Sequence, residues 1–227
     1  MKAKSYFIII ILFIIITPIV LFPIFGIKRT ILYPDKDAHV EEVNPDKNKG
    51  DYILLPIGYY ADGSEVRVYI HFNLLKIKSG WETVKFGARF DIPDYGTISP
   101  PLKFLLYKSY QSDWDEGTLT WNNQPSLSTL ITNFSISHRD ELYYIKVSSF
   151  IQTEETDFTI AIIPDDYRWE IVEILSRDVN HGYYSPQLIF FYPTPFWEIL
   201  FLIILGICGL SLGYFIYVKW FKIRDLK

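Results

Sequence analysis

Three runs of closely spaced acids stand out along the chain: Asp113, Asp115 and Glu116; Glu154, Glu155 and Asp157; and Asp165-Asp166. Facing carboxylates are the chemistry of glycoside cleavage, which needs two of them about 5–9.5 Å apart across a cleft. Clustered oxygens are also the chemistry of calcium. Asp165-Asp166 or the acids near Trp114 would be the place for a structural ion, although no EF-hand loop is present. An acidic chain supplies such clusters as solvated turn residues in any case. The reading therefore expects no catalytic residue, no cofactor and no metal site. His39, His71, His138 and His181 are scattered, without H-x-H or H-E-x-x-H spacing. No G-x-S-x-G or P-loop pattern occurs. Sugar recognition has more footing, because sugar rings stack on exposed aromatic faces while amides and carboxylates orient hydroxyls. Aromatic residues make up 18% of the chain, enough to give adjacent pairs at Tyr59-Tyr60, Tyr143-Tyr144 and Tyr183-Tyr184. Neighbours in a strand point to opposite sides, so each pair should send one ring outward. Tyr59, Tyr60, Tyr183 and Tyr184 lie beside turn sequences and, with Trp81, are the candidate carbohydrate contacts. Tyr95, Tyr167 and Trp169 are further candidates. The competing reading of each ring is an ordinary cross-strand partner.

The elements that would position these rings are strands. In Glu65–Leu74, Val66, Val68, Ile70, Phe72 and Leu74 alternate with Glu65, Arg67, Tyr69, His71 and Asn73. In Glu82–Ile92, Val84, Phe86, Ala88, Phe90 and Ile92 alternate in the same way. A period of two predicts strands with one buried and one wet face. Further strands are predicted at 52–58, 101–109, 117–122, 128–137, 141–147, 157–164, 169–176 and 187–192. ADGS at 61–64, PDYG at 93–96, NNQP at 122–125, PDD at 164–166 and NHG at 180–182 supply the turns. Ser148–Gln152 reads as one helical turn. Short strands with polar turns predict an all-β domain, an antiparallel sandwich or barrel.

The ends are of another kind. Tyr6–Ile27 carries no charge, and as a helix it would span about 33 Å, roughly one hydrocarbon core. Lys2 and Lys4 precede it and no A-x-A site follows, which favours a signal anchor over a cleaved signal peptide. Ile199–Val218 is also uncharged, flanked by Trp197 and Trp220, whose rings suit the headgroup level. The tail KWFKIRDLK holds four basic residues against one acid, so the positive-inside rule puts it in the cytoplasm and the middle of the chain outside. The expected order is membrane segment 1–27, linker 28–50, ectodomain 51–192, short linker 193–198, transmembrane helix 199–218 and cytoplasmic tail 219–227. Within the linker, PDKDAHVEEVNPDKNKG at 34–50 reads as a spacer. Gly206, Gly209 and Gly213 share one face of the second span, a spacing that lets helices approach closely.

Residues 28–196 keep 16 of the 22 basic and 24 of the 26 acidic side chains, a balance of −8. That excludes nucleic acid as a partner, which needs a basic surface. Cys208, inside the second span, is the chain's single cysteine, so the ectodomain has no disulfide and must stand on packing. Asn133-Phe134-Ser135 is a glycosylation sequon.

Trp114–Ser126 reads WDEGTLTWNNQPS. As a strand it would send Leu119 and Trp121 inward, with Asn122-Asn123 turning the chain and Pro125 ending the pairing. Scaffold is the bottom-up reading. The spacing of Trp114, Glu116, Thr118, Thr120, Trp121, Asn122, Asn123 and Pro125 resembles the central motif of the DNRLRE-domain family, related to archaeal disaggregatase repeats and classed as carbohydrate-binding module family ninety-six. VRVYIHFNL at 66–74 resembles its early strand, and ILSRD at 174–178, with Ser176, Arg177 and Asp178, followed by SPQLIFFY, resembles its closing segment. Asp178 stands where the family usually has Glu, and KVSSF at 146–150 lacks the family's Asp. Leu75–Pro100 is longer than the family pattern and implies an extra strand or hairpin. The resemblance covers about residues 50–192. It implies a jelly-roll-like β-sandwich, usually extracellular and non-catalytic, and does not name a glycan.

The resulting expectation is a β-sandwich held at the membrane by its ends, displayed on the cell surface and binding a polysaccharide or surface glycan. An envelope protein that contacts other proteins is the alternative. A hydrolase using an acid pair is the third.

Overall fold

Alternating apolar residues can be satisfied only if strands bring their inward faces together. The computed structural model describes residues 28–91, 101–138, 141–168, 170–178, 185–193 and 196–224. The described residues divide into two compact units, Arg29–Phe191 and a second that holds the C-terminal helix.

The strands are β1 (Lys28–Leu32), β2 (Lys36–Glu41), β3 (Leu54–Tyr59), β4 (Glu65–Asn73), β5 (Thr83–Asp91), β6 (Leu102–Ser109), β7 (Leu127–Ile136), β8 (Glu141–Lys146), β9 (Asp157–Pro164), β10 (Ile171–Leu175) and β11 (Gln187–Tyr192). A single 3-10 turn, Ser148–Phe150, falls where one helical turn was expected. The pairings among β2–β11 are antiparallel. They run in the order β1-β11-β5-β10-β3-β4-β9-β6-β7, with β2 also on β4 and β8 also on β5.

This sheet folds back on itself. β5 shares no ladder with β4, β6 or β7. Yet Phe86 of β5 lies 6.4 Å from Phe72 of β4, and Phe90 lies 6.3 Å from Phe104 and 5.7 Å from Phe134. The arm β2-β4-β9-β6-β7 therefore faces the arm β11-β5-β8 across an aromatic core. β3 and β10 carry the sheet around the corner. Gly58 sits there with φ 145°, and a Cβ on it would come within 2.0 Å of the Glu170 carbonyl oxygen. Only glycine fits so close a backbone approach. The inward residues read from the sequence, Val66, Val68, Ile70 and Phe72 on β4 and Val84, Phe86, Ala88 and Phe90 on β5, are all 0% exposed.

Three sequence expectations need correction. Residues 34–50 are not a spacer: β2 pairs along β4 from Lys36↔His71 to Glu41↔Val66, and Asp37, His39, Glu41 and Lys49 are buried. Their charges pair inside the domain instead of facing water. Residues 117–122 form turns, not a strand. Third, the expected wet face of β4 is covered, with Tyr69 and His71 both buried. β5 occupies the segment whose length implied an extra strand.

The described part of the second unit is one helix, α1 (Phe196–Arg224), of 29 residues. Over its described side chains no helix is long and apolar enough to cross a membrane, while the sequence from 199 to 218 is uncharged throughout. The first apolar segment lies outside the described residues.

Phe90 touches Phe104, Phe134 and Tyr143. Phe90→Ala should destabilise the domain by about 3–5 kcal/mol through the cavity it leaves, read as a lower midpoint in denaturant unfolding followed by tryptophan fluorescence.

Candidate functional site

The motif segment connects β6 to β7 and lies over the outer face of the β4 arm. Registers align Ala38, Tyr69, Ala161 and Tyr107 in one row across β2, β4, β9 and β6. The two alanines leave room beside Tyr69, and Trp114 and Leu119 fill it, with Tyr107, Trp121 and Leu127 at the margin. Lys36 Nζ holds the loop by donating to the carbonyls of Ser112 and Trp114, each at 2.9 Å. The Tyr69 hydroxyl donates to Gln124 Oε1 at 2.8 Å. The Arg67 guanidinium lies 4.6 Å from the Trp121 ring. This second core explains why β2 and β9 read as nearly continuous buried runs.

The polar motif residues tie the loop to itself and to the N-terminal segment. Asn123 Oδ1 accepts from the Thr120 backbone and hydroxyl at 2.6 and 3.0 Å, and its Nδ2 donates to the Thr118 carbonyl at 2.9 Å. Asn122 Nδ2 donates to Asp46 at 2.8 Å. Asn48 Nδ2 donates to the carbonyls of Glu116 and Leu119 at 2.7 and 2.8 Å. Pro125 is buried.

Glu116 and the Ser176-Arg177-Asp178 segment meet at Asp37. Glu116 Oε1 accepts from the Asp37 amide at 2.9 Å, and its Oε2 accepts from Arg177 Nη2 at 2.6 Å. Asp37 accepts from the Ser176 hydroxyl and the Arg177 amide, both at 2.7 Å. The Arg177 guanidinium also donates to the Asp35 carbonyl, and the Asp178 amide to the Ser176 hydroxyl at 3.2 Å. Burial pushes both carboxyls above their ordinary range, opposed by Arg177 and these hydrogen bonds. The clasp locks β2 against the motif loop and the end of β10. The Asp37 and Glu116 carboxylates are occupied by protein donors.

A second buried network sits at the far end of β2. Glu41 accepts from Tyr60, Lys49 and Asn44 at 2.8, 3.0 and 2.8 Å. Burial alone would raise Glu41; those donors and the Lys49 charge outweigh it and hold the carboxyl down at about 2. His39 lies 3.4 Å from Glu41, and burial lowers its imidazole to about 4. Burial, then Glu41, push the Tyr60 phenol up.

The candidate sugar contacts part company. Tyr60 is framework. Trp81 is half-buried, edge-on to Phe190 at 6.1 Å. Tyr183 and Tyr184 lie outside the described residues, as do Tyr95 and Trp169. Tyr59 is half-buried with its ring centroid 4.8 Å from that of Tyr167, tilted by 50°. Tyr167 is 66% exposed, so this pair presents an aromatic surface to solvent. Beside it, Glu65 registers with Tyr59 and holds Arg67 at 2.7 and 2.9 Å. The alternation rule holds for Tyr143, which turns inward to Phe90 at 5.8 Å, and Tyr144, which turns outward. Tyr144 lies over Gly87, where a Cβ would come within 2.9 Å of its ring. A glycine inside a strand pattern signals such a close approach, and that signal was available in the sequence.

The motif loop also carries an open cleft of about 260 Å³ lined by Gln111, Asp113, Asp115, Thr118 and Asn123, with Trp114, Leu119 and Pro125. Trp114 is only 7% exposed, so the cleft offers no ring face for stacking. Asp166 of the suggested calcium pair is engaged by Arg168 at 2.5 Å. Among the described residues no group of three or more His, Cys, Asp or Glu is arranged to hold a metal.

A family model described as carbohydrate-binding module family 96 matches residues 28–191. No curated protein matches the chain. The match begins at residue 28, so it takes in β1 and β2, which the motif resemblance left out.

Arg177→Ala should cost about 3 kcal/mol by leaving Asp37 and Glu116 buried without their cation, measured by denaturant unfolding. His39 makes stability pH-dependent. With its folded value near 4 and an unfolded value near 6.5, the unfolded chain binds more protons between those limits. His39 then contributes fully above pH 6.5, and about 3 kcal/mol is lost as the pH falls to 4. The stability–pH curve of His39→Asn should lack that portion of the acid slope.

Proposed function

The chain belongs to carbohydrate-binding module family 96, and we propose on that footing that it binds a carbohydrate at the cell surface without catalysing its cleavage. The observation that carries the reading to a place on the molecule is the solvent-facing pair Tyr59–Tyr167. Two adjoining rings offer apolar faces to the C–H face of a sugar. The clasp supports the non-catalytic part, because Asp37 and Glu116 are committed to Ser176 and Arg177. The two facing arms are taken as a jelly-roll-like β-sandwich.

The same proposal holds the domain at a membrane. The helix Phe196–Arg224 contains the uncharged stretch 199–218. At about 1.5 Å per residue, twenty residues reach about 30 Å, the thickness of a hydrocarbon core. The basic residues after it favour a cytoplasmic tail and an outward-facing β domain.

The test is a glycan array probed with the full-length chain in detergent, followed by calorimetry on the best ligand. Tyr167→Ala should weaken binding about tenfold, equivalent to about 1.4 kcal/mol, while Tyr144→Ala leaves it unchanged. Silence across neutral and charged glycans would overturn the carbohydrate reading.

A further inference from the structure

The turn between β3 and β4 and the connection between β9 and β10 converge on the Tyr59–Tyr167 pair. A Cβ on Gly63 would come within 2.1 Å of the Tyr167 hydroxyl oxygen, so the outer ring reaches across to that turn. The turn is tied. The Gly63 amide donates to the Tyr60 carbonyl and the Tyr60 amide to the Ser64 carbonyl, both at 2.9 Å, and the Ser64 amide donates to Asp62 Oδ1 at 2.9 Å. On the other side the Tyr59 amide donates to the Glu170 carbonyl at 3.4 Å. The Glu65 amide donates to Glu42 Oε2 at 3.0 Å, which brings the residue after β2 to the same place.

The charge left over here has one sign. Both arginines of these segments are spoken for: Arg67 donates to Glu65 at 2.7 and 2.9 Å, and Arg168 to Asp166 at 2.5 Å. Asp165, at the far end of the connection, lies by Lys103, whose carbonyl accepts its amide. Glu42, Asp62 and Glu170 remain, and among the described residues no base pairs with them. Hydrogen bonds from Ser64 hold Asp62 below the ordinary carboxylate range. Burial, then Glu65, raise the Tyr59 phenol; Arg67 opposes them and Glu42 adds to them.

We infer that the Tyr59–Tyr167 pair takes an uncharged glycan and turns away one bearing carboxylates, with Glu42, Asp62 and Glu170 repelling the acid group. This names the ligand class of the site proposed above and rests on that reading. Stacking needs a C–H face, which a hexose and its uronic acid share. The two differ at C6, a hydroxymethyl in one and a carboxylate in the other. The rings alone would not separate them. A field of one sign does so without a contact, and it weakens as salt screens it.

The experiment is calorimetry on the full-length chain in a non-ionic detergent. The probes are β-1,4-linked manno- and mannuronate oligosaccharides of equal length, and the matching gluco- and glucuronate pair. The neutral member should bind about tenfold tighter at low salt, a gap that shrinks to about threefold in high salt. Asp62→Asn with Glu42→Gln, which keep the acceptors used by Ser64 and Glu65, should raise uronate affinity about threefold. Tyr167→Ala should weaken the neutral member. Equal or tighter uronate binding at low salt, lost in Tyr167→Ala, would overturn the ligand class and leave the site standing. So would a gap that ignores both salt and the double variant. Binding that Tyr167→Ala does not weaken, or none to either pair, would overturn the site together with its class.

Discussion

The structure depends on one constraint: the sheet arm carrying β4 has to be dry on both faces. Its inner face meets β5 through phenylalanines, which is the ordinary demand of an alternating strand. Its outer face presents Tyr69 between two alanines and would be an apolar trench without a cover. Trp114 and Leu119 provide that cover. A loop laid on a sheet has no ladder to hold it, so its backbone must find other partners. Lys36, Asn48, Asn123 and Gln124 supply them, and Glu116 ties the loop through Asp37 and Arg177 to two distant parts of the chain. The tryptophans and the amides of the motif are therefore two halves of one device, burial and its fastening.

The same constraint decides what was legible in the sequence. β4 and β5 were readable because one face of each is apolar in strict alternation. β2 was not, because its buried residues include Asp37, His39 and Glu41, and buried charges look in sequence like solvated ones. What separates the two cases is partners far along the chain, Arg177 for Asp37 and Tyr60 for Glu41, which no local window contains. The region 117–122 failed in the opposite direction. Leu119 and Trp121 have strand spacing, but Asn48 and Asn123 hold the intervening carbonyls and amides that a strand would have offered to a neighbour.

Of the surface rings, the sequence located Tyr59 and Tyr167 but not their partnership, because they come from separate strands and connections that meet only at the corner around Gly58. Tyr60 was misjudged for a specific reason: β3 ends at Tyr59, so alternation no longer applies to the next residue, and Glu41 captures its hydroxyl. Tyr143 and Tyr144 obey alternation because both lie inside β8.

The motif residues are thus framework. Trp114 and Glu116 are engaged in holding the loop down, and Trp114 is nearly closed to solvent. A motif used in this way specifies the fold and is silent about the sugar. Under the proposed reading, selectivity would reside on the turns and connections around Tyr59 and Tyr167. Those positions can change without loosening Asp37, Glu116 and Arg177, because no hydrogen bond of the clasp reaches them.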